Sequence, residues 1–315
     1  MQLYRDFSAV QLSKPTVLTI GTFDGLHRGH QALLNKLKAA AQQHHAQTAV
    51  IAFHPRPKTV LAPQLANNDY LTTAEERILL FEALGIDILL LIPFTIELSQ
   101  RSARDFIKEV VERLNMIELY VGQDFALGKN REGNKHKLAE LGQEFGYSLH
   151  EVEPLLLDGQ VVSSTEIRQQ LLAGDVRRAA FLLGRYPSLS SKIIQGARRG
   201  HTIGFPTANF EVPPERLLPA NGVYATFVRR AGQEQRYPSV TNVGIRPSFG
   251  GQERTVEAYI FDFDQDIYHQ PFTVEFVERL RAERKFDKIE ALIAQIKQDA
   301  EQARRLLIDE VISPV

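Results

Sequence analysis

The sequence predicts two unlike halves: an α/β unit built on a parallel sheet with helices on both faces, then a small antiparallel β-barrel followed by a terminal helix. Three observations carry this. Apolar runs of strand length alternate with helix-like segments through the first half. From Lys192 the grammar changes to short β-rich runs separated by Gly/Pro turns. The chain then closes on a stretch from Asp287 to about Ile308 in which Ile289, Leu292, Ile293 and Ile296 keep helical spacing.

In chain order, Thr16-Val17-Leu18-Thr19-Ile20 is the first buried strand, and Gln31 to Gln43 is the helix it feeds. Thr48 to Phe53 reads as a strand, Ala74 to Leu84 as a helix and Ile86 to Ile92 as a fully apolar strand, the pattern of a sheet covered on both faces. Ser102 stands at capping-box spacing before Asp105 and opens a helix to Leu114. Glu118 to Val121 and Tyr147 to Val152 complete the parallel set. Two short helices are expected around Ala173 to Gly184, and Tyr186 to Ser191 is expected to be a linker. The runs Lys192 to Gln195, Val223 to Arg229, Ser239 to Val243, Thr255 to Phe261 and Phe272 to Leu280 build the barrel. The domain boundary is expected between residues 185 and 186.

Composition bounds the partners. With Lys+Arg at 37, Asp+Glu at 38 and a net charge of −1, no global basic field invites nucleic acid or an anionic membrane. The 43% apolar share supplies a core for each half of a 315-residue chain. The absence of cysteine excludes disulfides and thiolate metal cages, compatible with the cytoplasm. The N-terminus lacks a basic region followed by an apolar core, and no apolar run approaches the ~20 residues that span a bilayer. A soluble cytoplasmic protein acting on small molecules is expected, of a size of assembly that sequence does not give.

The first strand ends in Gly21-Thr22-Phe23-Asp24-Gly25-Leu26-His27-Arg28-Gly29-His30, a glycine-bearing turn before a helix. Such a turn offers backbone N–H groups and a positive helix end to a phosphate. His27 and His30, three apart, fall on one face of the first helical turn and can point at the same anion. The spacing is neither a Walker A loop nor the dinucleotide G-x-G-x-x-G. Phe53-His54-Pro55-Arg56-Pro57, after the next strand, carries His54 or Arg56 to a ligand or is a rigid surface turn. In Val162-Ser163-Ser164-Thr165-Glu166-Ile167-Arg168, Ser164 is expected to cap a helix with Arg168 one turn along the same face. In Gly204-Phe205-Pro206-Thr207-Ala208-Asn209, Thr207 and Asn209 face the same way if the segment is extended, and can hold a metal ion and phosphate oxygens. The pairs Arg198-Arg199 and Arg229-Arg230 line a path for ATP or lie in solvated turns.

The G-x-F-D-x-x-H-x-G-H stretch resembles the signature of the HxGH nucleotidyltransferases, in particular the adenylyltransferase half of the bifunctional bacterial riboflavin kinase/FAD synthetases. The segment from Ser163 to Arg168 is similar to the same family's I-S-S-T-x-x-R motif, with Val162 for Ile. Val121-Gly122-Gln123-Asp124-Phe125-Ala126-Leu127-Gly128 is similar to the family's G-x-D-F-R-F-G loop, with Ala126 and Leu127 in place of Arg and Phe. Pro206 to Asn209 looks like the P-T-A-N motif of riboflavin kinases. Gly196, Gly200, Gly222-Val223-Tyr224, Asn242 to Pro247 and Leu280 to Glu283 fall in the family order, with His201 where the family has Arg. The resemblance covers nearly the whole chain.

It implies a Rossmann-like HxGH nucleotidyltransferase domain followed by a riboflavin kinase barrel. The kinase half would convert riboflavin and ATP to FMN and ADP, and the other half FMN and ATP to FAD and pyrophosphate, with Mg²⁺ as cofactor. It implies catalytic roles for His27, His30, Arg168 and Glu257, and ATP or phosphate contacts at Gly21, Phe23, Asp24, Gly29, Ser163, Ser164, Thr165, Gly200, Thr207 and Asn209. Flavin contacts are implied at Asp124, Phe125, Arg246, Arg281 and Glu283, and Mg²⁺ at Thr207 and Asn209. The alternatives are a chain that keeps one of the two activities, and a flavin- or nucleotide-binding regulator without turnover.

Overall fold

The computed structural model describes residues 1–65, 69–196, 203–248 and 251–312 of the chain. They fall into two compact units, Met1–Ser163 and Ser164–Val315.

The first unit is a six-stranded, wholly parallel sheet of order β1-β4-β3-β2-β5-β6. Its strands are β1 (Gln2–Tyr4), β2 (Thr16–Gly21), β3 (Gln47–Phe53), β4 (Ile88–Ile92), β5 (Met116–Gly122) and β6 (Ser148–Val152). The helices are α1 (Arg28–Gln43), α2 (Pro57–Leu61), α3 (Ala74–Ala83), α4 (Ile96–Ser99), α5 (Ala103–Leu114) and α6 (Lys135–Phe145). Alternate strand residues serve two layers. Leu18, Ile20, Ile88 and Leu90 pack on Phe106, Ile107 and Leu138 of α5 and α6. Val50, Ala52, Leu89 and Leu91 pack on Leu34 of α1 and Phe81 of α3. Cover on both sides is why these strands read as unbroken apolar runs.

β2 lies between β3 and β5. The chain leaves β2 toward β3 and later returns to its other side as β5. The carboxyl ends of β2 and β5 therefore flank the switch of direction where such sheets take ligands. β1 is an edge strand absent from the expectation, because three residues carry no period. Ser102 caps α5 as expected, accepting the Asp105 N–H; the Asp105 carboxylate takes the Ser102 hydroxyl at 2.7 Å instead of completing the box. A small hairpin, β7 (Leu156–Leu157) and β8 (Gln160–Val161), ends the unit.

The second unit opens with α7 (Ser164–Ala173) and α8 (Val176–Leu183), separated at Gly174 and ended at Gly184 (φ 73°), as expected. The Ala220 N–H donates to the Leu171 carbonyl at 2.8 Å, and Arg279 reaches the Ala173 carbonyl at 3.4 Å, so α7 is tied to the barrel. The barrel is closed and antiparallel, β10-β13-β12-β11-β14-β9. Its strands are β9 (Ser188–Ile194), β10 (Ala208–Phe210), β11 (Gly222–Arg230), β12 (Tyr237–Ser248), β13 (Gly251–Ile260) and β14 (Pro271–Arg281). The expected linker is corrected: Ser188 onward is barrel strand. Serines on its outward positions hide the alternation that sends Leu189 and Ile193 into the core, and Ser190 bonds Thr273 across the ladder at 2.9 Å. The terminal helix α9 (Ile289–Ile312) lays Ala300, Ala303 and Leu307 on barrel residues Val223, Ala225 and Phe227.

Candidate active sites

In the first unit the loop after β2 is wound tightly: Phe23 (φ 49°), Gly25 (φ 82°) and Leu26 (φ 41°) all lie in the left-handed region. Two non-glycine residues there are costly, and burial of Phe23 at 3% and Leu26 at 0% exposure holds them in place. His27 is the N-cap of α1, and its Nδ1 accepts the His30 N–H at 3.3 Å. An accepting Nδ1 puts the neutral ring's proton on Nε2. The His27 and His30 rings stack at 3.6 Å and 18°. Space at Gly29 is tight: a Cβ there would sit 3.1 Å from His27 Nδ1 and 3.2 Å from the Val162 carbonyl. The two imidazoles thus share the positive end of α1, the arrangement the spacing predicts.

Two residues expected at the nucleotide face inward instead. The Phe23 ring packs edge-on against His30 (5.1 Å) and Phe81 (5.6 Å), and it fills the space beside Gly21. The Asp24 carboxylate, 1% exposed, accepts the Leu71 and Thr72 N–H groups at 3.0 and 3.1 Å and the Arg56 guanidinium at 3.4 Å. Both hold the loop from inside. They fill inward positions because a loop wound this tightly needs its own core.

Behind the loop lies a polar cluster with little sequence signature. Arg77, on α3 and fully buried, donates to the carbonyls of Thr22 (2.7 Å) and Phe53 (3.2 Å) and to His54 Nδ1 (2.8 Å). Burial pushes its guanidinium down from the ordinary value, and the charge of Asp24 opposes this. Arg56 bonds Asp69 and lies 4.0 Å over the Tyr70 ring. Burial disfavours its charge, but the Asp69 bond and the Asp24 charge outweigh that and hold the guanidinium above its usual value. Arg56 is thereby bound into the protein, as a rigid turn would have it.

At the end of β5, Asp124 is exposed and its carbonyl accepts from Arg131 at 2.9 Å, while Phe125 packs against the core. Gly128 and Gly133 press on Ala103, where a Cβ would fall within 2.6 and 2.7 Å. α7 starts at Ser164 itself, so Ser163, and not Ser164, takes the cap position. Thr165 is exposed and Arg168 half-buried one turn beyond Ser164.

In the second unit, Glu257 on β13 is the register partner of Asn209 on β10 and of Asn242 on β12. Directly paired residues share a face of the sheet, so a carboxylate stands between two amides. The sequence names Asn242 only as the start of a stretch in the family order; its place across from Glu257 comes from register. The Asn209 amide rests on Gly196, where a Cβ would lie 2.4 Å from its Nδ2, and Nδ2 donates to the Thr207 carbonyl at 3.4 Å. Glu283 Oε1 lies where a Gly244 Cβ would approach within 2.6 Å, beside the Asn242 amide. Arg246 is exposed. Arg281 pairs with Asp299 of α9, donating from Nε at 3.0 Å and from a terminal nitrogen at 2.8 Å to Oδ2. Arg229 and Arg230 bond Glu275 and Gln270. Gly200, His201, Arg198 and Arg199 lie outside the described residues.

Comparison with known proteins covers both units. The FAD synthetase family model matches residues 9–166 and the riboflavin kinase model residues 183–307. The bifunctional riboflavin kinase/FMN adenylyltransferase of Bacillus subtilis (strain 168) is 34% identical over 294 residues, 92% of each chain. That of Haemophilus influenzae is 34% identical over 306 residues, 96% of this chain and 98% of the relative. That of Escherichia coli (strain K12) is 35% identical over 290 residues, 91% of each. A solved structure described as a macrolide-efflux protein from Streptococcus pneumoniae has a TM-score of 0.87 at 30% identity, covering 96% of this chain and 98% of that one. No helix among the described residues is long and apolar enough to cross a membrane. With both halves matched and relatives covered over nine tenths or more of their length, the chain belongs to the bifunctional riboflavin kinase/FMN adenylyltransferase family: it phosphorylates riboflavin to FMN and adenylylates FMN to FAD.

Proposed function

We propose that residues 1–185 perform adenylyl transfer and residues 186–315 the kinase step, each with its own charge logic. A phosphate monoester such as FMN is already an oxyanion near neutral pH, so attack on the α-phosphorus of ATP needs no strong base. It needs two polyanions held in line and the developing pyrophosphate charge neutralised. His27 and His30 take the α-phosphate region as donors, in a loop whose close packing Gly21 and Gly29 permit and whose backbone N–H groups meet the phosphates. Ser163, Ser164, Thr165 and Arg168 hold the leaving pyrophosphate, and Asp124 and Phe125 border the flavin. The reading is supported by the His27 cap, whose Nδ1 bond leaves Nε2 as the donor.

Riboflavin presents a neutral alcohol, so the kinase step benefits from a base. Glu257 accepts that proton during attack on the γ-phosphorus. The single observation that carries this role is the pairing of Glu257 with Asn209 and Asn242, two neutral amides that orient a carboxylate without quenching it. Arg246 and Glu283 contact the flavin side. Thr207 and Asn209 supply hard oxygen donors of the kind Mg²⁺ takes, and the donation of Asn209 Nδ2 to Thr207 turns Oδ1 to the acceptor role. Among the described residues no group of three His, Cys, Asp or Glu could hold a metal, so ATP oxygens would complete the ion's shell. Bound there, the ion would neutralise charge on the transferring phosphoryl group.

The enzyme is cytoplasmic and works on small molecules, without nucleic-acid or membrane partners. This is supported by a net charge of −1 and by the lack of cysteine. Purified protein mixed with riboflavin, ATP and Mg²⁺ should yield FMN and then FAD on chromatography, and chelation should stop both. Accumulation of FMN alone, or flavin binding without product, would overturn the division of labour.

A further inference from the structure

We propose that Arg77 is a positioning residue for adenylyl transfer: its buried guanidinium holds the wound loop after β2 in the geometry on which the two imidazoles depend. The inference rests on the reading that this loop carries the adenylyl step.

Arg77 stands on the inward stripe of α3 with Ala74 and Phe81, where an apolar residue is the inexpensive choice. A buried cation costs several kcal/mol unless it is well partnered. The partners here are two carbonyls and an imidazole, with no carboxylate in hydrogen-bond contact among the described residues. What this arrangement provides is location. The Thr22 carbonyl is at the root of the loop, and the Phe53 carbonyl is at the end of the neighbouring strand, so one nitrogen of Arg77 fixes the ends of β2 and β3 to each other.

The loop beyond Thr22 needs such a hold, since Phe23 and Leu26 are left-handed without being glycine. The α3 segment meets it at three successive points. Thr72 bonds Asp24 and the Gly25 N–H (3.0 Å), Arg77 bonds Thr22, and Phe81 packs on Phe23, whose other edge meets His30. The route from Arg77 to His30 therefore passes through one carbonyl and one ring. Arg77 also bonds His54 Nδ1. Because a guanidinium only donates, that imidazole is held neutral with its proton on Nε2. Tyr70, edge-on at 5.4 Å, is the other ring against it.

Full-length Arg77→Met, Arg77→Lys and His27→Ala proteins are assayed for FAD formation from FMN and ATP, per mole of folded protein, and for FMN formation on the same preparations. A misplacement of the order of 1 Å costs up to ~10²-fold. Arg77→Met is thus expected to lower the kcat of FAD formation by roughly 10- to 100-fold, with KM for ATP and FMN within about 3-fold and FMN formation unchanged. Arg77→Lys should restore part of the rate. In ¹⁵N-histidine NMR the His54 signals should leave the Nε2–H tautomer pattern in Arg77→Met. An unchanged kcat with a lowered unfolding midpoint, or a raised KM with kcat intact, would overturn the positioning role. If Arg77→Met does not fold, Arg77→Lys decides by the same split. Undiminished FAD formation by His27→Ala would sink the underlying reading as well, whereas collapse of His27→Ala beside an intact Arg77→Met sinks this inference alone.

Discussion

His27 Nδ1 accepts the His30 N–H at 3.3 Å while the two rings stack 3.6 Å apart. One imidazole thus caps a helix and, by the same bond, carries the neutral ring's proton on Nε2. His27→Ala removes both roles and should slow FAD formation by roughly 10²–10³-fold, as loss of a preorganised donor does. His27→Asn keeps a capping oxygen, so it should regain about 1 kcal/mol of stability over the alanine variant without regaining the rate. Thermal melts paired with initial rates of FAD formation check both.

Gly29 is a tight point of that arrangement. A methyl group there would meet His27 Nδ1 at 3.1 Å and the Val162 carbonyl at 3.2 Å, so one must yield. Gly29→Ala should lower the kcat for FAD roughly 10-fold by turning the His27 ring, while FMN formation stays at its original rate. Steady-state kinetics of both reactions on one preparation is the check.

The barrel's terminal helix depends on a near-buried ion pair, Arg281 with Asp299, whose carboxylate is 4% exposed. Removing one partner strands the other charge. Asp299→Ala should therefore cost about 3 kcal/mol and lower the kinase unit's unfolding midpoint in a denaturant titration. An effect below about 0.5 kcal/mol would show that the pair is solvated.

How far these features were legible in the chain depends on the kind of physics that marks them. The histidine pair and the apolar strands follow from spacing, and spacing survives folding. Arg77 was missed because a lone arginine in a helix usually faces water. Its signal was position: it shares an inward stripe with Ala74 and Phe81. Asn242 was legible as part of a family stretch, but its pairing with Glu257 is a long-range fact that only register supplies. Asp24 and Phe23 were legible as important but not in direction, since a strongly wound loop consumes its own polar and aromatic groups as core. Ser188 to Ser191 looked like linker because polar outward positions outweigh two inward apolar ones in a short strand.

Tyr224 reports on the barrel from its own titration. Its hydroxyl donates to the Ala220 carbonyl at 2.5 Å, and burial raises its pKa from 10.0 to about 12. A group raised in the folded state contributes fully below the unfolded value and loses that contribution as pH climbs through the folded one. The shift of two pKa units corresponds to roughly 3 kcal/mol, to be lost between pH 10 and 12. Tyrosine absorbance at 295 nm followed through alkaline unfolding should lose the contribution of one late-ionising group in Tyr224→Phe, while Tyr120, Tyr147 and Tyr186, also raised by burial, keep theirs.

The most direct test of two separate chemistries in one chain is the pair of rates shown by Glu257→Gln. Its amide keeps the shape between Asn209 and Asn242 but cannot take a proton. FMN formation from riboflavin should fall by roughly 10²–10⁴-fold while FAD formation from supplied FMN continues at the parental rate. Parental FMN formation, or equal loss of both products, would contradict the account.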